Sequence, residues 1–134
     1  MTTRVPAAGE RIIVRRKTVS PPVRTVDEAA FDLERQNQDY LLFIEAGTGQ
    51  DSVLYRSGNG LRLHQTSAWP ERIVHGFVPV EISVRSADRL TTDEAVSRLE
   101  GSGEPFLFYA DVDTGRGRVL HRCPNGQLEL IAAG

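Results

Sequence analysis

The sequence predicts an α+β protein built from two tandem β-α-β-β-β units whose antiparallel sheets pack face to face as a pseudo-two-fold pair. Three observations predict it: an ungapped internal repeat, a helix-start signal in each copy, and strands that are apolar on both faces. The repeat is decisive. Thr25-Val26-Asp27-Glu28-Ala29 recurs as Thr91-Thr92-Asp93-Glu94-Ala95, and the same offset of 66 pairs residues 25–60 with 91–126 at 14 identities in 36 positions. Such self-similarity marks a duplicated supersecondary unit.

Each copy justifies its elements in the same order. A strand precedes the helix, Ile12-Ile13-Val14 in the first copy and Val80–Val84 in the second. Thr25 and Glu28, or Thr91 and Glu94, form the Thr-x-x-Glu capping box: the hydroxyl accepts from a free helix amide and the carboxylate reaches back to the cap. Ala29, Ala30 and Leu33, or Ala95, Val96 and Leu99, make the inner stripe of the helix. It stops near Asn37-Gln38 or at Gly101-Ser102-Gly103. An apolar strand follows, Tyr40–Ile44 or Phe106–Ala110, then a turn at Gly47-Thr48-Gly49 or Asp113-Thr114-Gly115. Val53–Arg56 or Val119–Arg122 returns, and Asn59-Gly60 or Asn125-Gly126 turns into the last strand.

The resulting division is an N-terminal tail over 1–10, a first unit over 11–65, a linker over 66–77 and a second unit over 78–134. A helix covers one face of a sheet, and the other face of an antiparallel sheet ordinarily alternates to polar residues. Tyr40 and Leu42 are assigned to the helix side, which leaves Leu41 and Phe43, with Leu107 and Tyr109 in the second copy, needing another cover. Units this small bury little surface alone. The economical cover is the other unit of the same chain; a second chain is the alternative.

Composition bounds the function. Hydrophobic residues are 40% and charged residues 25% of the 134, ordinary for a globular protein. No apolar run reaches the ~18–20 residues of a membrane span, the N-terminus lacks a secretory signal, and the single cysteine, Cys123, excludes an internal disulfide. These features predict a cytoplasmic protein without a membrane partner. One lysine among 16 basic residues is the arginine bias of a GC-rich, actinobacteria-like genome. Net charge is −2, yet residues 1–24 carry six basic side chains against one acid. One basic strand can touch RNA phosphate while the rest of the surface repels it.

No catalytic constellation emerges, so no enzyme is predicted. Asp113-Thr114-Gly115 matches an aspartic-protease triplet, but that chemistry needs two aspartates sharing a proton, and the other copy has Gly47 at this place. Asp111-x-Asp113 opens like a calcium loop without the ligands that should follow. His64, His75, His121 and Cys123 lack metal-ligand spacing. No metal and no cofactor are expected.

The motifs in order have a known counterpart. Ile13-Val14-Arg15-Arg16-Lys17, Pro21-Pro22, Thr25–Ala29, Asp39–Phe43, Thr48-Gly49 and Val53-Leu54-Tyr55-Arg56 resemble the C-terminal domain of long-form bacterial ribosome hibernation promoting factors, the sigma-54 modulation protein family. The second copy keeps Thr91–Ala95, Phe106–Tyr109, Thr114-Gly115, Val119-Leu120, Arg122 and Leu130-Ile131. The likeness covers roughly residues 11–65 and, more faintly, 78–132. It implies a module that anchors on or pairs ribosomes under stress. In the family this domain forms a homodimer that joins two ribosomes, while a separate N-terminal domain blocks the small-subunit decoding region. These 134 residues hold no counterpart of that N-terminal domain, so the chain is part of a longer protein or acts without the inhibitory half. Two departures stand out: His121 replaces the tyrosine equivalent to Tyr55, and Arg15-Arg16-Lys17 has no clear copy in the second unit.

The candidate residues follow. Leu41, Phe43, Leu107, Tyr109, Tyr55 and His121 are expected at an inter-unit or dimer interface, and Arg15, Arg16, Lys17, Arg56 and Arg122 at a ribosomal RNA or protein surface of the small subunit. The competing assignments are plain intra-unit core for the first set and a charge-defended edge strand for the second. The competing function is a generic protein-interaction module unrelated to the ribosome. If the two units satisfy each other's dimer face, the chain anchors on one ribosome; if they do not, it forms a homodimer and pairs two.

Overall fold

The computed structural model describes residues 13–134; the tail assigned to residues 1–10 lies outside the described residues. The strands are β1 (Ile13–Val19), β2 (Val23–Arg24), β3 (Tyr40–Glu45), β4 (Asp51–Ser57), β5 (Gly60–Gln65), β6 (Glu81–Ile82), β7 (Arg89–Leu90), β8 (Phe106–Asp111), β9 (Gly117–Arg122) and β10 (Leu128–Ala133). Helix α1 (Val26–Arg35) follows β2, and α2 (Thr92–Ser102) follows β7. The class is α+β, as expected. Both capping boxes form: Thr25 N donates to Glu28 Oε1 at 2.9 Å while Glu28 N donates to Thr25 Oγ1 at 3.2 Å, and Thr91 and Glu94 repeat this at 2.9 and 3.1 Å. Helix α1 ends before Asn37 at φ 51°, and α2 ends on the left-handed Gly103 at φ 71°, a conformation glycine adopts without a Cβ clash.

The sheets depart from the expected antiparallel form. They are mixed, with orders β2-β3-β4-β5-β6 and β1-β10-β9-β8-β7. In each, an antiparallel three-strand meander is flanked on both sides by a parallel strand. Two of the parallel strands, β2 and β7, are two residues long and were not expected from the sequence. Each pairs in parallel with the strand after its helix, which is what a helical crossover requires.

Strand β1 does not join the repeat that follows it. It pairs with β10, while β6, its counterpart before the second helix, pairs with β5. Among the described residues the compact units are accordingly Ser20–Asp88, and residues 13–19 together with Arg89–Gly134. This corrects the expected division of the pre-helix strands, and chain length supplies the reason. For β1 to occupy the place beside β5, the chain would have to run from there to β2 at the opposite sheet edge, four strand spacings or about 19 Å away. The four residue steps from Val19 to Val23 reach at most about 14 Å.

The face assignment is also reversed. Phe43 and Leu54 pack with Val26, Ala29, Ala30 and Leu33 of α1, with Leu41 against them, so Leu41 and Phe43 lie under the helix. In the other unit Tyr109 and Leu120 pack with Ala95, Val96 and Leu99, with Leu107 against them. A strand apolar on both sides carries no polar alternation to set its phase. Helix-side burial therefore follows cross-strand register, Leu41 opposite Leu54 and Leu54 opposite Leu63.

The segment expected as a linker is built into the Ser20–Asp88 unit. Ile73 is 4% exposed in its core, Val74 N donates to Glu45 Oε2 at 3.0 Å, and Phe77 N and Val78 N donate to the two carboxylate oxygens of Asp27 at 2.9 and 3.0 Å. Gly47 and Gly76 permit the approach, since a Cβ at either would overlap the Arg72 carbonyl oxygen or the Asp27 carboxylate.

Candidate functional site

Each sheet carries its chemistry on the edge where the exchanged strand lies. On β1, Val14 through Thr18 are all exposed, so Arg15, Arg16 and Lys17 form a basic outer strand. Register sets Arg15 opposite Glu129, and its guanidinium lies 3.6 Å from that carboxylate with 70% of the Arg15 side chain still accessible. On the equivalent edge of the Ser20–Asp88 unit, Arg62 is opposite Glu81 and donates to it. The Arg62 guanidinium holds the Glu81 carboxyl below the usual carboxylate range, and Glu81 in turn raises Arg62.

The repeated arginines have a local task that accounts for their repetition. Arg56 Nε donates to the Gln38 carbonyl at 3.3 Å, and an Arg122 terminal nitrogen donates to the Leu99 carbonyl at 3.3 Å. Gln38 lies just past the end of α1 and Leu99 in the last turns of α2, so both arginines lie near the C-terminal end of their unit's helix, where the dipole favours a cation. The Thr-Gly turns are likewise held from below. Glu45, fully buried, accepts from Thr48 N at 2.7 Å, and Asp111 accepts from Thr114 N at 3.1 Å. Burial pushes the Glu45 carboxyl up, but hydrogen bonds from Val74, Gly47 and Thr48 outweigh it and leave the group below its ordinary value. Asp113 of the protease-like triplet is exposed on its turn.

Of the expected interface residues, Leu41, Phe43, Leu107 and Tyr109 find their burial inside their own units. Tyr55 and His121 lie on the opposite, helix-free faces, in register with Tyr40 and Arg62, and with Phe106 and Glu129. Those faces hold residues that sequence reasoning passed over. Val53 and Val119 are 0% exposed, and Phe108 and Ala110 are buried, yet none belongs to either core cluster. The signal was present, because Val53/Val119 is one of the repeat identities, but the phase of the strands was needed to read it. Among the described residues no group of three or more His, Cys, Asp or Glu side chains is placed to hold a metal, and no helix is long and apolar enough to cross a membrane.

Comparison with known proteins adds two findings. Residues 8–61 match the family model described as Sigma 54 modulation/S30EA ribosomal protein C terminus. The chain is also 37% identical over 136 aligned positions to a protein named "Dormancy associated translation inhibitor" from Mycobacterium tuberculosis, in strains CDC 1551 / Oshkosh and ATCC 25618 / H37Rv alike. The alignment takes in 96% of this chain and 50% of that protein, so the chain spans about half the length of the curated relatives it matches. The basic first strand, the capped helix and the first Thr-Gly meander all fall within or beside the matched stretch, so residues 8–61 are similar to the Sigma 54 modulation/S30EA ribosomal protein C terminus.

Proposed function

We propose that this chain is the ribosome-associated module of a translation-silencing, hibernation-type factor, acting in the cytoplasm without catalysis, and that it anchors on one ribosome rather than pairing two. The family match and the name of the mycobacterial relative support the first part. The second is supported by the repeat itself: each unit's helix-free sheet face carries apolar residues, Leu42 and Val53 in one and Phe108 and Val119 in the other, that need a cover. In this reading the two helix-free faces, including Tyr55 and His121, cover each other as a pseudo-two-fold pair, and no dimer face is left to bridge ribosomes. Arg15, Arg16 and Lys17 are the contact to ribosomal RNA or protein of the small subunit; an exposed cationic strand neutralises phosphate and makes binding salt-dependent.

Two measurements test this. Light scattering across a concentration series is expected to return a monomer near 14.8 kDa; a tight homodimer at micromolar concentration would return ribosome pairing to the lead. Arg15→Glu with Arg16→Glu is expected to weaken co-sedimentation with ribosomes at least tenfold at low salt. Unchanged co-sedimentation removes the strand from the contact, and none by the unmodified chain leaves a protein-interaction module without a ribosome.

A further inference from the structure

The two edge ion pairs are the same pair with its charges exchanged. Arg15 and Glu81 occupy equivalent places, 66 apart in sequence and each on the strand that adds in parallel to a meander. Arg62 and Glu129 are equivalent too, since Arg62 is opposite Tyr55, Glu129 is opposite His121, and Tyr55 and His121 are 66 apart. A basic β1 thus meets an acidic β10, and an acidic β6 meets a basic β5.

The alternatives are laid out by the chain itself. Strand β1 cannot add to β5 of its own chain, because Ser20-Pro21-Pro22 is too short to cross that sheet. Its remaining partners are a β10, the unlike repeat, or β5 of a second copy, the like repeat. In the second case, a homodimer of like repeats, Arg15 would face Arg62 of the other copy and Glu81 would face Glu129. Like charges directly opposite in a sheet repel, and opposite charges attract.

We propose that these four residues form a pairing code that directs each exchanged strand to the unlike repeat and suppresses homodimers of like repeats. It deepens the proposed function, resting on that reading for its biological consequence but not for its chemistry.

The test uses the full chain and three variants read by light scattering and thermal unfolding. R62E/E81R keeps both present pairs attractive with one reversed, and makes both like-repeat pairs attractive as well. Its melting temperature stays near that of the unmodified chain while a homodimer appears. R15E/E81R turns both present pairs repulsive and both like-repeat pairs attractive, and shifts the balance toward homodimer by about tenfold to a hundredfold. R15E/R62E/E81R/E129R reverses all four charges, restores the present pairing and returns the monomer. High salt screens these exposed pairs, so it narrows the differences among the variants. If R62E/E81R and R15E/E81R both remain monomeric, or the fourfold variant does not undo the R15E/E81R effect, the code is refuted. Should R15E/E81R fail to fold, the R62E/E81R and fourfold variants decide. Ribosome co-sedimentation of the unmodified chain, measured alongside, separates failure of the code from failure of the functional reading.

Discussion

Truncating Val53 to alanine tests whether the helix-free face of the sheet is covered from within the chain. Val53 is 0% exposed, stands between Leu42 and His64 in register, and lies outside the hydrophobic core formed with α1. The substitution removes two buried methyl groups, about 1.6 kcal/mol of transfer free energy, and the unfilled space raises the total to about 2–3 kcal/mol. Val119→Ala, equally buried on the other sheet, is expected to cost the same. Urea unfolding followed by circular dichroism and by the fluorescence of the single tryptophan, Trp69, measures both. The measurement is made at low and high micromolar protein. A cover supplied by the chain itself leaves the midpoints independent of concentration, whereas a second copy makes them rise with it. Losses below about 0.5 kcal/mol, the range of exposed positions, would refute the burial argument, and a concentration-dependent midpoint would refute the internal pair.

Two further predictions concern the Ser20–Asp88 unit. Because hydrogen bonding holds the Glu45 carboxyl below its unfolded value, the unfolded chain binds the extra proton in acid. The contribution of Glu45 is therefore complete above the ordinary carboxylate range and is lost as pH falls through the folded value. Glu45→Gln should be less stable at neutral pH and lose less on acidification below about pH 5, checked by melting temperature against pH; a parallel wild-type slope would count against it. Gly47→Ala puts a Cβ into the Arg72 carbonyl and should cost about 1–3 kcal/mol. It should also change Trp69 fluorescence, because Arg72 stacks 4.9 Å over that ring. Gly101→Ala, where a Cβ meets open space near the end of α2, is the control and should be neutral or stabilising.

The features legible in the sequence are those governed by a few neighbouring residues. Thr25 with Glu28 and Thr91 with Glu94 announce the helix starts because a capping box is a contact across three residues. Gly49 and Gly115, at φ 68° and 72°, announce the turns because left-handed backbone suits glycine. The basic strand was legible as charge alone. Less legible were Arg56 and Arg122: their repetition was visible, but their pairing with the Gln38 and Leu99 carbonyls depends on where each helix ends against its sheet.

By itself, then, the sequence determined the duplication, the order of helix, meander and turns, and a family resemblance that the comparison later established. The tertiary structure decided which sheet each pre-helix strand joins, which face of β3 and β8 lies under the helix, and that residues 70–78 pack into a unit instead of running free. The division has a physical cause. Caps and turns are short-range and chemically specific, whereas the backbone donors of an edge strand are alike along every strand and accept any edge within reach. Here the reach was limited by three residues between β1 and β2. That limit becomes legible only once β2 and β5 are known to bound opposite sides of one meander.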